Sequence, residues 1–394
     1  MDASDLPLLL DPEVAARIDQ LVPLKPEQSL AVAESLRGSY SPELAAAVMT
    51  QATLRTRALD RFGPIGADLW WTSDGLEQAS RPEVAARHAA LLREAGATTV
   101  ADLGCGVGID TLAFAAVGLR VVAVERDPLT AAVARANVVA RGVGDQVTVV
   151  EGDATTFDAT AHGCDAVFMD PARRAGGRRL LDPEQWSPPL SAALRIASSV
   201  PAAVLKVAPG LDRSLLPSAA TFEAVSVQGQ LVEVTLRLGA ARAAAPFAAV
   251  LLPDGPVMTG DGATAARVAP WGQWLLEPDD AVIRSGLIND LAAELGAALV
   301  DPQVAYLTCD GEPPADRRYA RFEIDEVLPF SVKSLRAALR VREIGSVEIK
   351  KRAIAVDPEQ LRRDLKLVKG GPNACTVLLT RIGDSPFAVI AQRR

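Results

Sequence analysis

Three glycines alternate in Val100-Ala-Asp-Leu-Gly-Cys-Gly-Val-Gly-Ile-Asp110, directly after an apolar run that carries one acid, Asp102. Gly104, Gly106 and Gly108 leave bare backbone at a strand-to-helix turn, where φ is unrestricted and a ligand can press against the amides. The next apolar run ends in Val124-Glu125-Arg126-Asp127-Pro128, which sets Glu125 21 positions after Gly104. A carboxylate at that spacing can accept two hydrogen bonds from ribose hydroxyls. A third run ends in Glu151-Gly-Asp153-Ala154, where Asp153 can accept the amino proton of an adenine. Three such elements at the carboxyl ends of three successive strands mark a nucleotide site in an open α/β sheet.

A fourth run ends in Phe168-Met-Asp170-Pro171-Ala172, followed by Arg173, Arg174, Arg178 and Arg179 with two glycines among them. Four arginines in seven residues beside a nucleotide site suit a phosphate-bearing substrate, with a solvated loop as the alternative. Trp186 reads either as a base-stacking platform or as a buried anchor.

The elements that must position these residues are legible as period changes. Asp11-Pro12-Glu13 and Ser41-Pro42-Glu43 open helices, and Ser80-Arg-Pro-Glu83 reads as a capping box opening another that runs to Glu94. Runs at 99–103, 120–124, 146–150, 166–169 and 203–207 are short and β-branched-rich, separated by helical or turn-rich stretches, which predicts a parallel α/β sheet. Runs at 222–227 and 231–238 predict a closing antiparallel hairpin. The Ala-, Gly- and Pro-rich stretch 239–265 reads as a boundary or linker. Beyond it, strands at 326–330, 346–350 and 376–381 and helices at 332–340 and 358–365 predict an α+β module. The expected domains are 1–95 (helical), 96–240 (nucleotide-binding), 241–325 (connecting α+β) and 326–394 (basic tail).

With 41 Lys plus Arg against 49 Asp plus Glu, the chain is acidic overall at −8, but residues 331–394 hold 14 basic and 6 acidic side chains. Lys350, Lys351 and Arg352, in the run Val347-Glu-Ile-Lys-Lys-Arg352, are the candidates there for contacts to a phosphate backbone. Arg55, Arg57 and Arg61 extend that expected basic surface. The four cysteines are far apart and only His88 and His162 are present, so no zinc or disulfide pattern arises and no metal is expected. The acidic start lacks the order of a signal peptide and no run is long enough to span a bilayer, so the expected location is the cytoplasm.

Residues 100–170 resemble the class I S-adenosylmethionine-dependent methyltransferases. Within them, Cys105-Gly-Val-Gly108 and Val121-Val-Ala-Val-Glu-Arg-Asp-Pro128 are similar to trimethylguanosine-synthase-like RNA methyltransferases. The chain as a whole resembles a bacterial methyltransferase family with a C-terminal THUMP-like domain, the tail matching from about Glu326. The resemblance implies a Rossmann-like seven-stranded sheet flanked by an N-terminal helical domain and a C-terminal α+β THUMP-like domain. It also implies S-adenosylmethionine as cofactor, with Asp102, Gly104, Gly106 and Gly108 lining the methionine moiety, Glu125 on the ribose, and Asp153 with Ala154 on the adenine. Asp110 touches the cofactor amino group or caps its helix. Amino-methylating relatives carry Asp or Asn, Pro, Pro and then an aromatic or Arg where this chain has Asp170, Pro171, Ala172 and Arg173. Asp170, Pro171 and Arg173 are therefore the expected catalytic residues for an exocyclic amine in structured RNA (tRNA or rRNA), although Ala172 departs from the pattern. Arg174, Arg178, Arg179 and the tail cations would hold the RNA. Lys206 with Asp170 and Glu233 resembles three-quarters of the Lys-Asp-Lys-Glu set of ribose methyltransferases, without its leading lysine. The competing readings are a small-molecule or protein methyltransferase and a non-catalytic cofactor- or RNA-binding protein.

Overall fold

In the computed structural model, residues 5–172, 174–175 and 178–394 are described, with backbone alone at 174–175 and 178–179. Helices come first: α1 (Leu6–Leu9), α2 (Pro12–Leu21), α3 (Ser29–Arg37), α4 (Pro42–Phe62), α5 (Pro64–Asp68), α6 (Ser73–Gln78) and α7 (Pro82–Glu94). Asp11 accepts from the Glu13 and Val14 amides and Ser41 from the Leu44 amide, so α2 and α4 start where their capping side chains stand. Ser80 does not cap α7. Arg81 takes the cap position without a side-chain hydrogen bond, and the Ser80 hydroxyl goes to Asp110, because a largely buried carboxylate needs donors more than an exposed amide needs an acceptor.

The alternating stretch then builds β1 (Thr99–Leu103), α8 (Ile109–Ala116), β2 (Arg120–Glu125), α9 (Pro128–Ala140), β3 (Val147–Glu151) and β4 (Ala166–Met169). A two-residue ladder, β5 (Arg174–Ala175) with β6 (Arg178–Arg179), precedes α10 (Leu190–Ala197) and β7 (Ala202–Val207). The hairpin β8 (Thr221–Val227) and β9 (Gln230–Gly239) follows, and the strand order is β3-β2-β1-β4-β7-β9-β8. The first five strands are parallel and β9 runs against β7. The chain leaves β1 in opposite directions to fill the sheet, so the switch point lies between β1 and β4, where open sheets bind ligands. Leu103 pairs with Met169 and Met169 with Leu205, so Gly104, Asp170 and Lys206 fall at one level along the carboxyl edge of the sheet.

Two further strands lie in the stretch read as a linker. β10 (Phe247–Leu252) pairs in parallel with β8, and β11 (Val257–Gly260) pairs antiparallel with β10. The local reason is the six-residue run Phe-Ala-Ala-Val-Leu-Leu between Pro246 and Pro253, a strand signal inside an otherwise loop-like composition. Packing divides the chain into two compact units, Met1–Thr221 with Val234–Ala244, and Phe222–Glu233 with Ala245–Arg394.

In the second unit, β12 (Trp274–Pro278), α11 (Asp280–Ser285), α12 (Ile288–Leu295), β13 (Ala298–Asp301), β14 (Val304–Cys309) and β15 (Tyr319–Pro329) lead into α13 (Val332–Val341), β16 (Ile344–Lys351), α14 (Pro358–Leu365), β17 (Asn373–Ile382) and β18 (Ser385–Arg393). Seven strands form one sheet in the order β13-β14-β12-β15-β18-β17-β16. Leu335 and Leu339 of α13 and Leu361 and Leu365 of α14 pack on Val347, Val377 and Ile390. Strand β15 begins in the region read as connecting and ends in the basic tail. Among the described residues no helix is long and apolar enough to cross a membrane.

Candidate active site

Residues 100–103 of β1 are buried, as the unbroken apolar run demands of a strand covered on both faces, and Asp102 is the exception in type at 1 % exposure. Its carboxylate accepts from the Thr111 hydroxyl of α8. Burial pushes the Asp102 carboxyl up to about 8, helped by the nearby charge of Asp110 and then of Glu125, and opposed by Thr111 and His88. The three loop glycines all have positive φ, 85°, 56° and 92°. The Gly104 and Cys105 amides both donate to the Val124 carbonyl, which bends the loop over the end of β2. From there Glu125 accepts the Gly106 amide at 3.0 Å and the Asp127 amide at 2.9 Å. A Cβ on Gly106 would meet no atom within 4 Å, so the loop turns its bare side to open space. On Gly104 it would stand 3.8 Å from the Asp170 carbonyl oxygen, which places the loop beside the end of β4.

Asp153 is exposed past β3, and the amide and hydroxyl of Thr155 hold its carboxyl below the usual carboxylate range. Ala154 next to it is half-buried. Asp170 Oδ2 lies 2.7 Å from Lys206 Nζ, an ion pair whose lysine is 9 % and aspartate 29 % exposed. Pro171 is buried, and Ala172 exchanges backbone hydrogen bonds with Ser187. Trp186 at 3 % exposure donates its indole N–H to the Leu180 carbonyl, which makes it the anchor of the intervening loop rather than a stacking platform. Arg174, Arg178 and Arg179 lie on the short ladder of that loop. Arg173 falls outside the described residues.

Sequence reasoning missed one constellation. Both oxygens of Asp110 are engaged from the α7 side, Oδ2 by the Ser80 hydroxyl and Oδ1 by His88 Nδ1, each at 2.8 Å. Burial would raise this carboxyl, but the hydrogen bond and charge of His88, the charge of Lys206 and the Ser80 hydroxyl outweigh it and hold it below the usual range. His88 is fully buried, and its ring lies 4.6 Å from that of Phe168 in β4. Asp110 therefore braces α8 against α7 and does not cap its own helix, whose cap is Gly108. The available signal was a histidine on the apolar face of a helix, which predicts burial but not its partner.

The N-terminal helices are fastened to the same loop from behind. Asn137 of α9 accepts the Trp70 amide and donates to the Trp70 and Val107 carbonyls, at 2.7, 3.1 and 2.8 Å. A Cβ on Gly75 would lie 2.4 Å from Val107 Cγ1, so this segment needs glycine for close approach. Of the expected upstream basic residues Arg57 and Arg61 are exposed, but Arg55 is not. Arg55 is 3 % exposed, paired with Asp19 and stacked over Trp70, while Arg61 donates to the Leu76, Glu77 and Ala79 carbonyls that end α6. In the second unit, Lys350 pairs with Glu277 at 2.5 Å, Arg352 approaches Glu277 and Asp280, and Lys351 donates to the Val356 carbonyl. Among the described residues no group of three or more His, Cys, Asp or Glu could hold a metal ion.

A family profile described as a methyltransferase domain matches residues 100–175, one described as THUMP domain-like matches 319–393, and one for a domain of unknown function matches 2–58. An uncharacterized S-adenosylmethionine-dependent methyltransferase of Mycobacterium tuberculosis is 34 % identical over 342 residues, 84 % of this chain and 91 % of that protein. The chain belongs to the S-adenosylmethionine-dependent methyltransferases. A methyltransferase candidate from Porphyromonas gingivalis, known from its crystal structure, shares the fold of this methyltransferase at a TM-score of 0.73 and 21 % identity, over 94 % of this chain and 99 % of that one. The donor of the methyltransferase is S-adenosylmethionine, which when bound supplies an electrophilic methyl on a sulfonium. The residues present fit it: the open side of Gly106, Glu125 pinned by two amides, and the exposed Asp153 ring the carboxyl ends of β1, β2 and β3. Burial pushes the Cys105 thiol well up, so the loop cysteine is not a thiolate nucleophile. Gly106→Arg, which combines an unfavourable φ with a side chain in that open space, is expected to abolish S-adenosylhomocysteine binding in calorimetry; retained binding would move the cofactor elsewhere.

Proposed function

We propose that the methyltransferase modifies an exocyclic amine of a nucleobase in structured RNA, tRNA or rRNA, in the cytoplasm. Asp102 and the loop glycines would hold the methionine moiety, Glu125 the ribose, and Asp153 with Ala154 the adenine. Asp110 keeps its carboxylate for α7, so the cofactor amino group is left to Asp102. The observation that carries the reading is the position of Asp170, at the switch point and beside Gly104, where its carboxylate and carbonyl can orient an amine toward the donor. Pro171 stiffens that turn, and Arg173 would contact the base or a phosphate. Arg174, Arg178 and Arg179 border the same mouth in sequence. The THUMP-like domain supports an RNA partner. Its cations Lys350, Lys351 and Arg352 would exchange their intramolecular contacts for phosphates.

A ribose hydroxyl is the second reading, favoured by the Asp170–Lys206 ion pair. Mass spectrometry of nucleosides from a deletion strain separates the two: loss of a base-methylated nucleoside supports the amine, and loss of a ribose-methylated one the hydroxyl. An unchanged profile would turn the assignment toward a small molecule or protein. Asp170→Ala is expected to lower methyl incorporation into that strain's RNA about a hundredfold with cofactor binding intact. Full turnover in this variant would remove Asp170 from the acceptor site.

A further inference from the structure

Lys206 is nearly buried at the end of β7, with its ammonium on Asp170. Burying an ammonium carries a desolvation cost that an apolar side chain of similar length would avoid, so packing alone does not account for a lysine here. Its charge bears on two carboxylates. Asp170 comes from the end of β4. Asp110, from the first turn of α8, lies close enough that the lysine charge helps to lower its carboxyl. Asp110 is in turn gripped from the α7 side by Ser80 and His88, and the His88 ring packs on Phe168, two residues before Asp170. Thr111, the neighbour of Asp110, ties the same helical turn to Asp102 in β1. The helix behind the glycine loop and the strand that presents Asp170 are thus tied together through α7, with the Lys206 ammonium on Asp170 and its charge felt at Asp110.

We propose that Lys206 is a positioning residue for methyl transfer. It fixes one oxygen of Asp170 and leaves the other to receive the acceptor N–H, while the Asp110–His88–Ser80 brace holds the cofactor helix against α7, whose His88 packs on the strand that presents Asp170. The proposal rests on the amine-acceptor reading above. The acceptor nitrogen gains the methyl carbon, the carbon–sulfur bonding pair stays on sulfur, and the N–H proton passes to the second oxygen of Asp170 and on to water. Without Lys206, Asp170 is still present but free to rotate, so the defect falls on turnover and spares donor binding.

The test uses the full chain, tritiated S-adenosylmethionine and RNA from a deletion strain, with Lys206→Met, Lys206→Arg and Lys206→Ala. Lys206→Met is expected to lose about a hundredfold in kcat, with its Kd for S-adenosylhomocysteine and its melting temperature close to wild type. Added ethylammonium is expected to restore part of the Lys206→Ala activity, because it returns a cation to the vacated place, and Lys206→Arg is expected to keep part of it. Undiminished kcat in Lys206→Met overturns the proposal. So does a loss that ethylammonium leaves untouched and that tracks a fall in cofactor affinity or melting temperature, which would make Lys206 a structural residue. Wild-type protein that transfers no methyl to the RNA overturns the acceptor reading and this role with it, whereas active wild type with equally active Lys206→Met overturns the role of Lys206 alone.

Discussion

Asp102→Asn is expected to stabilise the empty protein at pH 7 to 8 and to remove a slope from its stability profile. The carboxyl is raised to about 8 in the folded chain, chiefly by burial, against about 3.9 for an unfolded aspartate. Between those values the folded state holds a proton that the unfolded state has released, so stability falls as pH rises across the window. The slope is at most about 1.4 kcal/mol per pH unit, which bounds the loss at about 6 kcal/mol over the whole range. Urea unfolding of both proteins at pH 5, 6, 7 and 8 measures it. The two curves should converge toward pH 4 and separate as pH rises, with other titrating groups common to both. Parallel curves would mean that Asp102 is ionised in the fold throughout. The same variant is expected to bind S-adenosylhomocysteine at least about tenfold more weakly, since on the assignment proposed above Asp102 gives up its proton to meet the cofactor amino group as a carboxylate, which an amide cannot do. A residue that costs stability and strengthens binding is a usual bargain at a ligand site.

Asn137→Ala carries the other large effect. One amide side chain satisfies the Trp70 amide, the Trp70 carbonyl and the Val107 carbonyl, all buried. Stranding three such groups, at about 1 to 3 kcal/mol each, is expected to cost about 3 to 5 kcal/mol after partial relaxation. Thermal unfolding reports the loss, and a red shift in tryptophan emission reports the release of Trp70 and Trp71. Because Val107 sits inside the glycine loop, cofactor affinity should fall in the same variant. A drop in stability with cofactor affinity unchanged would separate the N-terminal helices from the site, and the clamp would then be scaffolding only.

The parts of this molecule that could be read in the sequence are those whose causes are local. The apolar runs between positions 99 and 238 became strands within a residue or so of their expected ends, and Asp11 and Ser41 capped the helices they precede, because both rules act over a few positions. The glycine loop, Glu125 and Asp170 arrived together for a topological reason: successive parallel strands deliver their carboxyl ends to one edge. What could not be read depends on partners far along the chain. Asp110 finds Ser80 and His88 30 and 22 residues upstream, and Lys350 finds Glu277 73 residues upstream. No periodicity encodes such a meeting. Charge counting went astray at Arg55 for the same reason, since the tally of a segment cannot reveal that one guanidinium lies under Trp70. The strand at 247–252 is hidden for another reason: its composition is averaged with flanking Ala, Gly and Pro, and the strand signal is diluted.

Strand β15 pairs with β12 on one side and β18 on the other, and it runs through position 326, where the basic tail was expected to begin. A chain shortened at that point would keep only the first part of β15 and none of β16, β17 or β18. The remaining strands would then offer a long row of unanswered N–H and C=O groups, an invitation to intermolecular pairing. Deleting the tail is therefore a recipe for aggregation, and the contribution of its cations is better probed by reversing charges on an intact sheet.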